Sequence, residues 1–322
     1  MTPRSPPATP SNCLTTIPRT ADPVSALTLF TPSGVVPQAA PLRLAARRLA
    51  GLGFQVALDT DAQARRQRFG GSDATRLAAL HRVALAAPSV AMATRGGYGL
   101  TRLLDRIDWP LLARSVEQGT RWVGHSDFTA LQLGLLAHCG ADSWAGPMAI
   151  DDFSRAEDAG GVDEVTRDCF VEAMDGSLEA VGFRTEAGFD GVAVNGRLWG
   201  GNLCMVCSLL GTPHWPRIHG GILFLEDVNE HPYRVERGLL QLLQAGVIER
   251  QKAVVLGAFS AWKPSPLDRG YGLKQAVAQL RQATAVPVLT GLPFGHVHPK
   301  VTLPVGRKVQ LFVDGRHALI GW

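Results

Sequence analysis

No stretch of this 322-residue chain approaches the ~18–20 uninterrupted apolar residues of a membrane-spanning helix, so no membrane partner is expected. Charge of one sign is also scarce. Lys+Arg 32 against Asp+Glu 28 leaves a formal net charge of +4, not concentrated in one stretch, which argues against a dedicated nucleic-acid binder. Only five of the 32 basic residues are lysine, a bias that genome composition explains as well as function does. Cysteine is sparse and odd in number, with five residues in all, which excludes a disulfide framework. Cys204 and Cys207 form a C-x-x-C, but no second pair or spaced His pair completes a metal set. They lie in the largely apolar run Leu203–Leu210, where small inert thiols are common. The dinucleotide fingerprint and the Walker loop are missing too, which disfavours a Rossmann-type cofactor enzyme.

What is present is an ordinary globular composition, 46% apolar and 19% charged, over a length that suggests two domains. Residues 1–25 are rich in Pro, Ser and Thr and lack the 7–15-residue apolar core of a secretory signal. They read as a disordered or extended tail, and the default address is the cytoplasm. Order begins at Ala26–Phe30, a buried strand. A helix over Leu42–Leu52, a strand at Phe54–Leu58, a helix over Ala74–Ala87 and a strand at Ser89–Ala93 follow, then a strand at Arg121–Val123. This alternation predicts a parallel, helix-covered sheet in an N-terminal domain over 26–150. Residues 151–190 are charged and Gly-dotted and read as an interdomain connection. A C-terminal domain over 191–322 carries strands near 191–194, 221–225, 253–256, 286–289, 309–313 and 318–320.

Ligands of such sheets gather outside the carboxyl ends of the strands, and the residues able to do chemistry stand there. Ser126 lies between an apolar strand and the helical run Phe128–Leu136. A serine on such a turn projects its hydroxyl, and the following N–H can face an oxyanion. The segment Gly124-His125-Ser126-Asp127-Phe128 departs from G-x-S-x-G at its last position, and a Ser-Asp pair before a helix is equally a cap. His125 is discounted as the base because adjacent residues on a tight turn diverge. Arg95-Gly96-Gly97-Tyr98-Gly99 suits close backbone approach to a ligand, with Arg95 able to pair with a carboxylate; a structural turn reads as well. Glu226 and Asp227 close the run Gly221–Leu225, where a carboxylate can hold a histidine tautomer or simply be solvated. His296 follows another strand and suits a general base near neutral pH, with His298 as its local competitor. Spacing alone goes no further than a serine hydrolase with nucleophile, acid and base in the order Ser, Glu, His.

The blocks together resemble the LD-carboxypeptidase family, the muramoyltetrapeptide carboxypeptidases of peptidase family S66. They are Arg95–Gly99 with Arg102-Leu103-Leu104 and Asp108-Trp109, then Gly124–Leu131, Gly200–Leu203, Ser208–Pro213, Leu223–Val228, Gly291–His296 and Leu303-Pro304. They run in the family's order across about residues 27 to 313. The resemblance implies Ser126 as nucleophile, His296 as general base and Glu226 as its orienting acid. It implies an oxyanion site from the N–H groups of Gly97 and Asp127, and substrate contacts from Arg95, Gly96, Tyr98 and Asn202. The implied fold is a flavodoxin-like parallel sheet followed by a smaller mixed α/β domain, with the active site at their interface. No metal or organic cofactor is implied. The implied reaction is removal of D-alanine from the L-centre of meso-diaminopimelate in a peptidoglycan-derived tetrapeptide, by a cytoplasmic homodimer. The sequence departs from the family at His125, where an aromatic is frequent, at Asn229, in place of a common Gly, and at the additional His298. Two rivals stand beside this reading. One resembles the microcin C immunity peptidases, which cleave aminoacyl-nucleotide conjugates with the same triad and for which Trp199 is a candidate pocket aromatic. The other is a non-catalytic binder of peptidoglycan fragments.

Overall fold

The computed structural model describes residues 25–322, so the tail reading for 1–25 falls, but for Ser25, outside the described residues. The first sheet is built from β1 (Ala26–Phe30), β2 (Gln55–Leu58), β3 (Val90–Ala93), β4 (Arg121–Gly124) and β5 (Ser143–Ala145). Helices α1 (Ala39–Gly51), α2 (Asp73–Ala86), α3 (Trp109–Glu117) and α4 (Thr129–Cys139) connect them. Then come α5 (Glu164–Asp175), β6 (Ala180–Arg184), β7 (Ala193–Asn202), α6 (Leu203–Leu209), β8 (Ile222–Val228), α7 (Pro232–Gln244), β9 (Ala253–Ser260), α8 (Leu273–Ala283) and β10 (Val288–Thr290). Three strands finish the chain: β11 (Leu303–Val305), β12 (Lys308–Asp314) and β13 (His317–Gly321).

The first sheet has the order β11-β5-β4-β3-β1-β2 and is parallel except at β11. Its β2-β1-β3-β4-β5 core is the flavodoxin-like order expected from the sequence. Such strands are covered on both faces and read as continuous apolar runs; all four residues of β3 are buried. Caps fix where the helices begin. The Ser72 side chain accepts from the Thr75 N–H, and Asp108 does the same for Leu111 with Pro110 in the first turn.

The second sheet runs β10-β9-β8-β7-β12-β13-β6, parallel from β7 to β10 and antiparallel from β7 to β6. It is the mixed sheet expected of the second domain, with seven strands against six in the first. The difference comes from residues 151–190, which hold more than a link: α5 packs into the core and β6 forms the sheet's edge. The two halves share their cores. One apolar cluster joins Leu27, Leu29 and Trp144 to Phe224, Phe294 and Leu311; the other joins Phe30, Trp122 and Phe128 to Leu203, Leu223 and Leu225. Helix α4 explains part of this. It is apolar on nearly every side, every residue from Thr129 to Leu136 is buried, and it touches β7 and α6 of the second half.

Candidate active site

Strand β4 delivers Ser126 onto a single helical turn, 126–128, that leads into α4. Ser126 adopts φ 63, a left-handed conformation that an L-residue holds at a cost of order 1–3 kcal/mol, so the surroundings must impose it. The glycine-rich loop after β3 lies directly against this turn. A Cβ on Gly96 would stand 2.8 Å from the Ser126 Cβ and 3.0 Å from its Oγ, so only glycine fits there. Gly97 follows at φ 108. Among the described residues neither the Gly97 nor the Asp127 N–H has an acceptor, which leaves two backbone donors beside the serine.

The loop is braced from beneath. The buried Asp127 carboxylate accepts from the Leu100 N–H at 3.0 Å, and burial raises its pKa. Arg76, fully buried, donates from one nitrogen to the carbonyls of Pro32 and Gly99, both at 2.8 Å. The Gly34 N–H donates to the Gly96 carbonyl at 3.0 Å, tying the loop after β1 to the glycine loop. Arg95 donates to the Val35 carbonyl at 3.2 Å, while its Nε has no partner among the described residues. Tyr98 is exposed at the loop's outer side and packs against Phe69.

The acid and base come from the second sheet. In β8 the pairing with β9 shifts register between Leu225 and Asp227, a local irregularity of the kind that re-aims side chains beside active sites. Glu226, fully buried at this point, accepts from His296 Nδ1 at 2.9 Å and from Asn202 Nδ2 at 3.3 Å. His296 stands in the loop after β10 with its side chain about a quarter exposed (23%), and its Nδ1–H points at the carboxylate, so Nε2 is the basic nitrogen. Among the described residues no hydrogen bond joins Ser126 Oγ to the His296 ring. Free enzymes often hold this contact long and tighten it around substrate.

Asn202 sits where β7 becomes α6. Its Nδ2 donates to Asp227 at 2.8 Å as well as to Glu226, its Oδ1 accepts from the Met205 N–H, and its backbone N–H donates to Thr129 Oγ at 3.1 Å across the two halves. Its side chain is therefore occupied by the two acids and the helix end. Asp227 also accepts from the Cys204 and Val228 N–H groups, and burial pushes its carboxyl up to about 6. His298 turns to Asp152, 3.7 Å away, and not to Glu226.

Two buried residues beside the site, Lys300 and Asp152, escape sequence reasoning. Lys300 is 2% exposed and donates to both oxygens of Asp152, at 2.8 and 3.1 Å, and to His125 Nε2 at 3.2 Å. The other His125 nitrogen donates to the Gly146 carbonyl at 2.9 Å, so the ring is neutral. Its ring meets that of His296 edge-on, with centroids 5.0 Å apart. Burial, and then Lys300, hold the His125 pKa well below that of a free imidazole. Asp151 adds a carboxyl within electrostatic reach of Arg95, Lys300 and His296.

Other candidates fall elsewhere. Trp199 is buried and donates to Gln251 at 3.0 Å; it lines a cavity with Trp215 and His219 that includes none of the candidate site residues. Asn229 has φ 61, a conformation that Asn tolerates better than other side-chain-bearing residues, which explains how it replaces glycine. Cys207, on α6, has its thiol pushed up to about 12 by burial, which suits an unreactive cysteine. Among the described residues no cluster of three or more His, Cys, Asp or Glu side chains is placed to hold a metal ion.

Comparison with known proteins identifies the family. Residues 27–146 match the model of the LD-carboxypeptidase N-terminal domain, and residues 195–311 match that of the C-terminal domain. The crystal structure of muramoyltetrapeptide carboxypeptidase from Oxalobacter formigenes is similar at TM-score 0.84 and 41% identity, covering 92% of this chain and 99% of that one. The murein tetrapeptide carboxypeptidase of Pseudomonas aeruginosa is 29% identical over 278 residues, 82% of this chain and 86% of its own. The microcin C7 self-immunity protein of Escherichia coli is 26% identical over 258 residues, 71% of this chain and 72% of its own.

Proposed function

This chain belongs to the LD-carboxypeptidase family, and from that premise we propose that Ser126, Glu226 and His296 carry out its hydrolysis of murein peptides. It is a serine LD-carboxypeptidase acting on muramoyl tetrapeptide in murein peptide recycling. The observation that carries the site assignment is the fully buried Glu226 held 2.9 Å from His296 Nδ1, which leaves Nε2 free to take a proton.

In the proposed reaction Ser126 Oγ attacks the carbonyl of the L-centre of diaminopimelate while its proton passes to His296 Nε2. Glu226 stabilises the imidazolium without taking its proton. The charge that develops on the carbonyl oxygen is met by the Gly97 and Asp127 N–H groups, whose freedom from other acceptors supports the role. Collapse breaks the peptide bond, and the departing D-alanine amine receives the proton from His296. Water then releases the acyl group by the same path in reverse. Arg95 pairs with the terminal carboxylate, a role supported by its place at the start of the glycine loop and its unpartnered Nε. Gly96 and Tyr98 line the same approach. Asn202 is a positioning residue, aiming both acids. A cytoplasmic address and a homodimer complete the proposal on family resemblance; no helix among the described residues is long and apolar enough to cross a membrane.

The test is D-alanine release from purified muramoyl tetrapeptide with a metal chelator present. The parent should release it, and Ser126→Ala should lose at least about 10³-fold in kcat. Absence of release by the parent overturns the assignment, and release instead from an aminoacyl-nucleotide conjugate would select the antibiotic-immunity reading.

A further inference from the structure

The edge of the first sheet opposite Ser126 opens into a separate cavity of about 720 Å³, within the range of small-molecule sites. Arg121, the first residue of β4, lines it, about 16 Å along the strand direction from Ser126 at ~3.3 Å per residue. The cavity straddles the two halves. Arg121 and Asp142 come from the first, Arg197 and Lys308 from the second, and Arg307 from the turn between β11 and β12.

Its charge is unbalanced. Four cations, Arg121, Arg197, Arg307 and Lys308, face two carboxylates, Asp142 and Glu179. Two of the guanidinium groups are fixed. Arg307 donates to Asp142 at 3.2 Å and lies over the Trp144 ring, 4.9 Å from its centroid; Arg197 donates to the Gly306 carbonyl at 2.7 Å. Each keeps further N–H groups unspent, since a guanidinium has five. Arg121 is different: it is half-buried, and among the described residues no hydrogen bond or ion pair holds it. Burial and then the neighbouring Arg307 act against its charge, and Asp175 offsets them only in part. A guanidinium stays protonated all the same, so a cation with no hydrogen-bond or ion-pair partner among the described residues is kept beside another in a partly desolvated cleft. An anion bound between the two guanidinium groups would offset their repulsion.

We propose that this interdomain cavity is a binding site for a phosphate-type polyanion, clamped between Arg121 and Arg307 with Arg197 and Lys308 at the rim. Planar guanidinium groups suit bidentate contact with phosphate oxygens. The ligand is either a free phosphate chain or the diphosphate end of a larger metabolite. The inference does not rest on the carboxypeptidase reading, because none of these residues belongs to the proposed catalytic set.

Titration calorimetry at constant ionic strength, with inorganic pyrophosphate and separately with ADP, tests it. Saturable one-site binding is expected for the parent and equally for Ser126→Ala. Arg121→Gln should weaken it at least tenfold, and Arg121→Gln/Arg307→Gln should abolish it. Arg121 makes no hydrogen bond or ion pair among the described residues, so Arg121→Gln should keep the parent's Tm without ligand and its D-alanine release, while losing the pyrophosphate-induced rise in Tm. Tighter binding of ADP than of pyrophosphate assigns the site to a phosphorylated metabolite; equal binding assigns it to the phosphate chain alone. Heat that is absent, fails to saturate, or is unchanged in Arg121→Gln overturns the proposal.

Discussion

At the scale of single residues, His125 shows how a neighbour of the nucleophile can matter without acting as a base. Its ring is buried, donates to Gly146 and accepts from Lys300, an arrangement only the neutral imidazole can make. Lys300, His296 and His298 all oppose its protonation, with burial the largest cause. In the unfolded chain the same histidine titrates near 6.5. Below that pH the unfolded state binds a proton that the folded state refuses, so stability falls as pH falls. The contribution is complete above about 6.5 and is lost at up to about 1.4 kcal/mol per pH unit beneath it. Glutamine could make both contacts, its amide donating to Gly146 and its carbonyl accepting from Lys300. His125→Gln should therefore remove this part of the acid sensitivity while keeping the fold. Urea midpoints of parent and variant between about pH 7 and pH 5 measure it, and parallel slopes would refute the account.

At the scale of elements, the site depends on the junction of β7 with α6 and on the register shift in β8. Asn202 is the shared component: it caps α6 through Oδ1 and spends Nδ2 on Glu226 and Asp227. Without that amide, two adjacent buried carboxylates lose a common donor and Glu226 is free to leave His296. Asn202→Ala should lower kcat by about 10²-fold, the cost of a misplacement of about 1 Å, with a much smaller effect on KM. An effect on KM alone would make Asn202 a substrate contact. Much of this was legible in the residues. The βαβ alternation, the loops after β3, β4 and β10, and the order Ser, Glu, His all follow from apolar runs ending in polar turns. Other parts were hidden for physical reasons. Strand β7 extends to Asn202, beyond the 191–194 read from the sequence, because its glycines interrupt the pattern; a Cβ on Gly200 would meet the Phe224 carbonyl at 2.0 Å. The Lys300–Asp152–His125 network joins residues 148 to 175 positions apart, or 27 for Asp152 and His125, and no local pattern marks a lysine for burial.

At the scale of the whole molecule, the two halves are less separable than a division at 151–190 suggests. Strand β11, the three residues Leu303-Pro304-Val305, leaves the second half to pair antiparallel with β5 at the edge of the first sheet. A three-residue strand containing proline carries almost no local signal and is stable only as an edge held by tertiary pairing. Removing the second half would strip β11 from β5, expose Trp144 and Val123, and leave α4, apolar on nearly every side, without β7 and α6. An unprotected edge beside an apolar face favours association between chains. A chain ending at residue 190 should therefore fail to fold as a soluble monomer, whereas the full chain should unfold in one transition. Tryptophan fluorescence and far-UV circular dichroism through a urea titration should coincide for the full chain, because Trp122 and Trp144 report the first half and Trp199 the second. Two separated transitions, or a monomeric and cooperatively folded fragment, would show that the shared core is dispensable and that the site forms by docking of independent domains.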